Sequence, residues 1–335
     1  MVPQIHYRKD TELPWRRIKK GKGFAFINEK GKRIGKSARS RVLGLVIPPG
    51  WHDVVISADP MDYVQAIGID ARGRKQYIYH PEWIKKNQEK KFDQMVAFGE
   101  RLPTLRKVVR THMHEVSLTK DRVIATVIWL LEHTFIRVGN ETYAKENQSY
   151  GLTTMREKHI EVKGNTLTFS FEGKSGIYHE LDVTNPMVAK TIKKCLDLPG
   201  YQIFQYLDED GQKQAVNSEN VNDYLQVHTG MDFSAKDFRT WGGSVIAGDS
   251  FYKRGSATDA SELKNNISEV VAVVSTHLGN TKSVCRKFYI HPVIIKSYER
   301  DILVPHFARS YARKLSRKLR LTPVEYATWS LIKDS

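Results

Sequence analysis

The residues of this chain best suited to chemistry are cations set in turns. Gly173-Lys174-Ser175-Gly176 puts a lysine at the tip of a tight turn, and Arg72, Arg74 and Lys75 crowd another turn just ahead of Gln76, Tyr77 and Tyr79. Between Arg16 and Arg41 stand eleven basic residues against one acid, Glu29. Guanidinium and ammonium groups so placed bind phosphate. The whole chain agrees: 53 Lys and Arg face 37 Asp and Glu, a formal charge of +16 with a pI near 9.6, so the expected partner is a polyanion. Metal and disulfide chemistry have no comparable support. Cys195 and Cys285 are the two cysteines, with no CxxC and no Cys/His cluster, so neither a disulfide framework nor a metal site is expected and a reducing compartment fits.

The elements that must position these groups follow from length and periodicity. A chain of 335 residues, 40% hydrophobic and 10% aromatic, has the makings of about two folded domains and is neither a peptide hormone, a disulfide miniprotein nor a disordered basic tail. The first 90 residues read as β-rich. Short strands joined by basic turns are expected from Arg16 to Arg41, followed by strand-like runs at Leu43 to Ile47, Val54 to Ser57, Val64 to Ile69 and Gln76 to Tyr79. From Pro81 the period becomes helical, with Phe92, Met95, Val96, Phe98 and Leu102 on one face and a longer buried helix from Asp121 to Ile136. Ile160 to Val162, Leu167 to Phe171 and Ile177 to Leu181 interrupt the helices as strands, so Lys174 tips an embedded hairpin. Further helices are expected over Met187 to Leu196, Ser218 to His228, Ala235 to Gly248 and Ser261 to Leu278. The expected fold is α+β: a β-sheet domain over 1–90, then a mainly α-helical domain over 91–335. The apolar run from Val123 to Leu131 is too short to span a membrane, and Met1 to Asp10 has no signal-peptide character. The expected location is the cytoplasm, in association with the nucleoid, with no membrane partner.

Seven stretches, in order, resemble the type IB DNA topoisomerases of bacterial and poxvirus kind: Pro48-Pro49-Gly50-Trp51, Gly73 to Trp83, Arg137-Val138-Gly139-Asn140, Lys145-Glu146-Asn147 with Gly151-Leu152-Thr153-Thr154, Gly173 to Gly176, Lys236 to Thr240, and Leu278 to Tyr289. The resemblance covers nearly the whole chain. It implies an enzyme that cuts and rejoins one strand of double-stranded DNA through a 3′-phosphotyrosyl intermediate, without metal, nucleotide or other cofactor. The matching catalytic positions are Tyr289 as nucleophile, Arg137 and Arg239 as charge stabilisers, Lys174 as the acid for the departing 5′-oxygen, and Asn280. Two guanidinium groups suit a transition state that gathers negative charge on non-bridging oxygens. A lysine beside those arginines has its pKa lowered toward a useful acid. Many relatives carry His where this chain has Asn280, nine residues before the tyrosine. An amide can still donate to a non-bridging oxygen but cannot carry a proton, and Asn280 points to a bacterial-type enzyme. His277, most of a helical turn earlier, is no substitute.

The resemblance also assigns DNA contacts. It sets the strand of Gln76, Tyr77 and Tyr79 in the major groove, where glutamine can bond an adenine edge; pleating sends the two tyrosines to one face and Gln76 to the other. Arg74 and Lys75 are candidate phosphate contacts, and Tyr143, Lys145 and Lys236 match positions close to the scissile phosphate. The basic run Arg313 to Arg320 reads as the wet face of a helix or a DNA-tracking surface. A monomer closing as a clamp is expected. The alternative is a tyrosine recombinase, which shares the Arg, Lys, Arg, Tyr set; that class usually has His three residues before the second arginine, where this chain has Lys236.

Overall fold

The computed structural model describes residues 5–7, 13–312 and 320–335. Most of the basic run from Arg313 lies outside them. The chain divides into two compact units, Met1–Lys90 and Lys91–Ser335. The fold is α+β: an N-terminal antiparallel sheet, then a mostly helical region with small sheets.

In the first unit, β1 (Trp15–Lys20), β2 (Gly23–Ile27), β3 (His52–Ile56), β4 (Val64–Ile69) and β5 (Lys75–Tyr79) form one sheet in the order β2-β1-β3-β4-β5. Its alternation serves two small cores. Phe26, Val54, Ile56 and Ala66 cluster with Ile78 on one side, and Leu13, Val64 and Ile67 with Tyr77 on the other. One expectation fails here. The end of the basic segment expected as strands, residues 36–41, together with the start of the Leu43 to Ile47 run, forms helix α1 (Lys36–Gly44), while the earlier part forms β1 and β2 as expected. A five-residue apolar run does not distinguish a strand from a helix end, and Pro48 and Pro49, which lack N–H groups, keep the run out of a ladder. Arg41 holds α1 to the sheet through Gln65 Oε1 at 2.6 Å and the Ser57 carbonyl.

The second unit takes up α2 (Pro81–Met113) from Lys91 onward. It then adds α3 (Lys120–Thr134), α4 (Glu141–Asn147), the three-stranded meander β6 (Ile160–Lys163), β7 (Thr166–Glu172) and β8 (Tyr178–Thr184), and α5 (Pro186–Leu196). A small hairpin, β9 (Gln205–Leu207) with β10 (Lys213–Ala215), precedes α6 (Ser218–Thr229), α7 (Ala235–Arg254), α8 (Ala260–Leu278), α9 (Lys282–Phe288), α10 (Pro292–Glu299), α11 (Leu303–Ala312) and α12 (Pro323–Lys333). The expected hairpin is the β7–β8 half of the meander. α3 is apolar nearly all round and fills the centre, as a fully buried helix should. Arg106 of α2 pairs with Glu132 of α3 and Glu325 of α12, each at 2.5 Å, tying three helices together. Among the described residues no helix is long and apolar enough to cross a membrane.

Candidate active site

The loop after α3 carries Arg137, and a second sequence motif clamps it. Leu152 N donates to the Arg137 carbonyl at 2.9 Å and Thr153 N to the Val138 carbonyl at 2.6 Å. Gly151 makes this approach possible, because a Cβ there would sit 2.5 Å from both Arg137 O and Gly139 N. The stretches 137–140 and 151–154 therefore belong together as one packed unit.

Arg239 is nearly sealed in α7, 4% exposed, and its guanidinium is aimed by two helix ends. It donates to the carbonyl of Phe135, the residue that caps α3, and at 2.6 Å to that of Leu278, the last residue of α8. Carbonyls at helix C-termini lack intrahelical donors and carry the negative end of the dipole, so they hold a cation. Three of its five N–H groups remain, and Nε–H is buried without a partner. Arg137 donates to Asn280 Oδ1 at 2.7 Å, leaving Asn280 Nδ2 buried and unpaired. Burial first, and then the Arg239 charge, push the Arg137 guanidinium down to about 10, still charged at neutral pH.

Lys174 stands on the turn between β7 and β8, which closes through Gly173 N to the Ile177 carbonyl at 2.8 Å. Ser175 and Gly176 both take left-handed backbone there, with φ of 69° and 73°, which glycine adopts freely and serine rarely. The turn is exposed, yet the cleft walls around the lysine head, and then the Arg137 charge, hold its ammonium below the ordinary lysine range. His179 of β8 is a further residue of the site that sequence reasoning missed. Its ring stacks on Phe171 with centroids 5.0 Å apart, and it occupies the space that a Cβ on Gly173 or Gly279 would need. One ring thus packs against the backbone beside Lys174 and beside Asn280.

Tyr289 follows α9. Its carbonyl lies where a Cβ on Gly243 would be 2.6 Å away, and Ser244 Oγ donates to that carbonyl at 3.3 Å while accepting from His291 N at 2.9 Å. The Arg239 guanidinium carbon is 5.1 Å from the Tyr289 ring centroid. Lys91 of α2, also unforeseen, lies 4.6 Å from the same centroid and donates to the Phe288 carbonyl. It sits in a run of lysines, where residue type carries no signal.

These side chains converge. Arg137, Tyr143, Lys174, Lys236, Arg239 and Tyr289 line one open cleft of about 510 Å³, and Asn280 joins it through Arg137. Lys145 does not line this cleft: it pairs with Glu141 at 3.8 Å on α4 and borders a neighbouring pocket. His277 bonds the Val273 carbonyl of its own helix and lines a smaller cavity. In the first unit, Asp70 organises the other candidates. It accepts from Arg74 Nε at 2.8 Å and Gln76 Nε2 at 3.1 Å, and the Arg74 hydrogen bond holds its carboxyl down at about 2. Tyr77 and Tyr79 stack, centroids 5.7 Å apart and planes at 7°, on one face as alternation requires. The Lys75 ammonium lies 5.3 Å from the Tyr77 ring centroid.

The family model described as the eukaryotic DNA topoisomerase I catalytic core matches residues 80–309, and that of the bacterial DNA topoisomerase IB N-terminal domain matches residues 23–70. A DNA topoisomerase 1B of Acanthamoeba polyphaga mimivirus is 32% identical over 268 residues, covering 78% of this chain and 80% of that one. The DNA topoisomerase 1B of vaccinia virus (strain Copenhagen) is 23% identical over 234 residues, covering 69% and 71%. Among solved structures, a XerH site-specific recombinase bound to difH substrate is similar at 15% identity and a TM-score of 0.34 over 56% of this chain and 48% of that one. With one family model spanning most of the second unit, another lying within the first, and a relative aligned along most of both chains, this chain belongs to the type IB DNA topoisomerases.

Proposed function

We propose that the chain relaxes supercoiled double-stranded DNA at the cleft of Arg137, Lys174, Arg239, Asn280 and Tyr289. The observation that carries this reading is that four of these side chains line one cleft while the fifth, Asn280, is hydrogen-bonded to Arg137 and keeps a buried, unpaired amide N–H. Tyr289 Oη attacks phosphorus and its proton leaves to water. The P–O5′ bond breaks, a 3′-phosphotyrosyl linkage forms, and Lys174 gives its proton to the departing 5′-oxygen. Rejoining runs the same steps backward. One phosphodiester is exchanged for another, so the cycle needs no nucleotide to drive it. Arg137, Arg239 and Asn280 stabilise the non-bridging oxygens, where preorganised donors act most strongly. Lys236 and Tyr143 hold the flanking phosphates from the same cleft.

Residues 1–90 are assigned to DNA recognition through Arg74, Lys75, Gln76, Tyr77 and Tyr79, and residues 91–335 to catalysis. Asp70 leaves Gln76 Oε1 and one Nε2–H for an adenine edge, which is the bidentate pattern glutamine uses. A monomer closing as a clamp on the duplex, working in the cytoplasm on nucleoid DNA, is sufficient for this chemistry.

Supercoiled plasmid mixed with the protein in EDTA should yield relaxed, closed topoisomers. Tyr289→Phe should bind DNA, relax nothing and form no denaturant-stable adduct. An adduct formed by that variant would overturn the assignment of the nucleophile.

A further inference from the structure

Lys91 has no part in the roles assigned above, yet it contacts the tyrosine's surroundings at two points. Its Nζ donates to the carbonyl of Phe288, the residue before Tyr289, and lies 4.6 Å from the centroid of the Tyr289 ring. The next residue on α2, Phe92, packs edge-on against His291, two residues beyond the tyrosine, with centroids 5.1 Å apart. Successive α2 residues therefore hold the chain on either side of Tyr289.

A phenolate spreads negative charge into its ring, so a cation against that ring favours phenolate over phenol. Arg239 supplies one such cation at 5.1 Å, and its guanidinium is already committed to the helix-end carbonyls. Lys91 supplies the second on a flexible stem anchored by a single carbonyl. We propose that Lys91 is the positioning residue of the nucleophile: it fixes the backbone that delivers Tyr289, and its charge favours the ionised form of the attacking oxygen. The inference rests on the assignment of Tyr289 as nucleophile.

The surroundings make this charge adjustable. Burial pushes the Lys91 ammonium down to about 8; Asp237 opposes the shift, while Lys236 and Arg239 add to it. Arg137 and Lys174 act on Tyr289 from the rest of the cleft, and Cys285 on α9 has its thiol pushed up by burial, so it stays neutral. His291, beyond the tyrosine, is buried and pushed down to about 4, so it too is uncharged at neutral pH.

The test is single-turnover cleavage of a nicked duplex that traps the covalent adduct, followed across pH for wild type, Lys91→Met, Lys91→Gln and Lys91→Arg. Tyr289→Phe is run beside them; an adduct there sinks the nucleophile assignment itself, independently of Lys91. With that control silent, Lys91→Met and Lys91→Gln should move the rising limb of the pH profile upward by about one unit, roughly a tenfold loss at neutral pH. Their rates should approach wild type once the pH passes the ammonium's own value of about 8. Lys91→Arg should keep the wild-type limb. Glutamine retains an N–H for the Phe288 carbonyl without charge, so it separates tether from electrostatics even if the methionine variant folds poorly. A glutamine rate that keeps a constant ratio to wild type from neutral pH through and beyond about 8, whatever that ratio, overturns the proposal, as does an arginine variant as slow as glutamine at neutral pH.

Discussion

Asn280 keeps one buried, unpaired amide N–H beside Arg137, and the rest of its side chain is already spoken for. Its Oδ1 accepts from Arg137 at 2.7 Å, which fixes the amide plane and leaves Nδ2 to donate. Asn280→Ala should therefore raise the cleavage barrier by roughly 2 to 4 kcal/mol, the order found when one oxyanion donor is lost. Asn280→His should recover part of that, and single-turnover rates in which histidine is as slow as alanine would count against matching Asn280 to the histidine position of its relatives. Lys174 does different work and is tested differently. The 5′-alkoxide it is proposed to protonate is about as poor a leaving group as hydroxide, whose conjugate acid is very weak, whereas a thiolate, from a thiol of pKa about 8.5, leaves with little help. Sulfur in place of the bridging 5′-oxygen should rescue Lys174→Ala almost fully and Arg137→Ala much less, because guanidinium charge serves the non-bridging oxygens whatever departs. If sulfur leaves Lys174→Ala as slow as before, the lysine only holds phosphate and the acid lies elsewhere.

The loops that carry these groups are shaped by glycines whose missing side chains admit a neighbour. A Cβ at Gly151 meets Arg137 O and Gly139 N, backbone atoms that cannot swing aside. Gly151→Ala should cost roughly 1 to 3 kcal/mol, as overpacking does, and lower cleavage further by displacing Arg137; thermal melts and single-turnover rates read the two effects. Gly44→Ala is the control, with open space around its Cβ, and should melt at or slightly above wild type. The sequence shows these loops as motifs but not why they recur together, since 137–140 and 151–154 become one object only when paired. Long helices were legible because an apolar stripe at period 3.6 has few other readings, and β3, β4 and β5 because alternation between two packed faces is equally distinctive. α1 was not legible: Val42 is its one buried residue, so no stripe exists to be read. Lys91 and His179 escaped for a different reason. Each acts by contact across the fold, Lys91 on Phe288 and Tyr289 and His179 on Gly173 and Gly279, and no spacing along the chain encodes such a meeting.

Charge is distributed unevenly over the molecule, and that sets how it meets DNA. Residues 1–90 hold 19 Lys and Arg against 9 Asp and Glu, so this smaller unit carries +10 of the net +16. Residues 91–335 carry the remaining +6, and four of their cations, Arg137, Lys174, Lys236 and Arg239, line the cleft. Non-specific affinity should therefore come mainly from the first unit, through release of counterions from the phosphates it neutralises, with a log–log salt slope of about −0.9 for each. Lys75 and Gln76 are neighbours on β5 with opposite proposed duties, one for phosphate and one for a base edge. Lys75→Ala should weaken binding to every duplex alike and make the salt slope shallower by about one. Gln76→Ala should leave the slope unchanged and instead flatten the differences among cleavage sites, costing roughly 1 to 3 kcal/mol of discrimination at one base pair. Binding titrations at several salt concentrations on two duplexes of different sequence separate the outcomes. If Gln76→Ala changes the slope and spares the preference, β5 reads only the backbone, and sequence choice must come from the deformability of the DNA or from the catalytic unit.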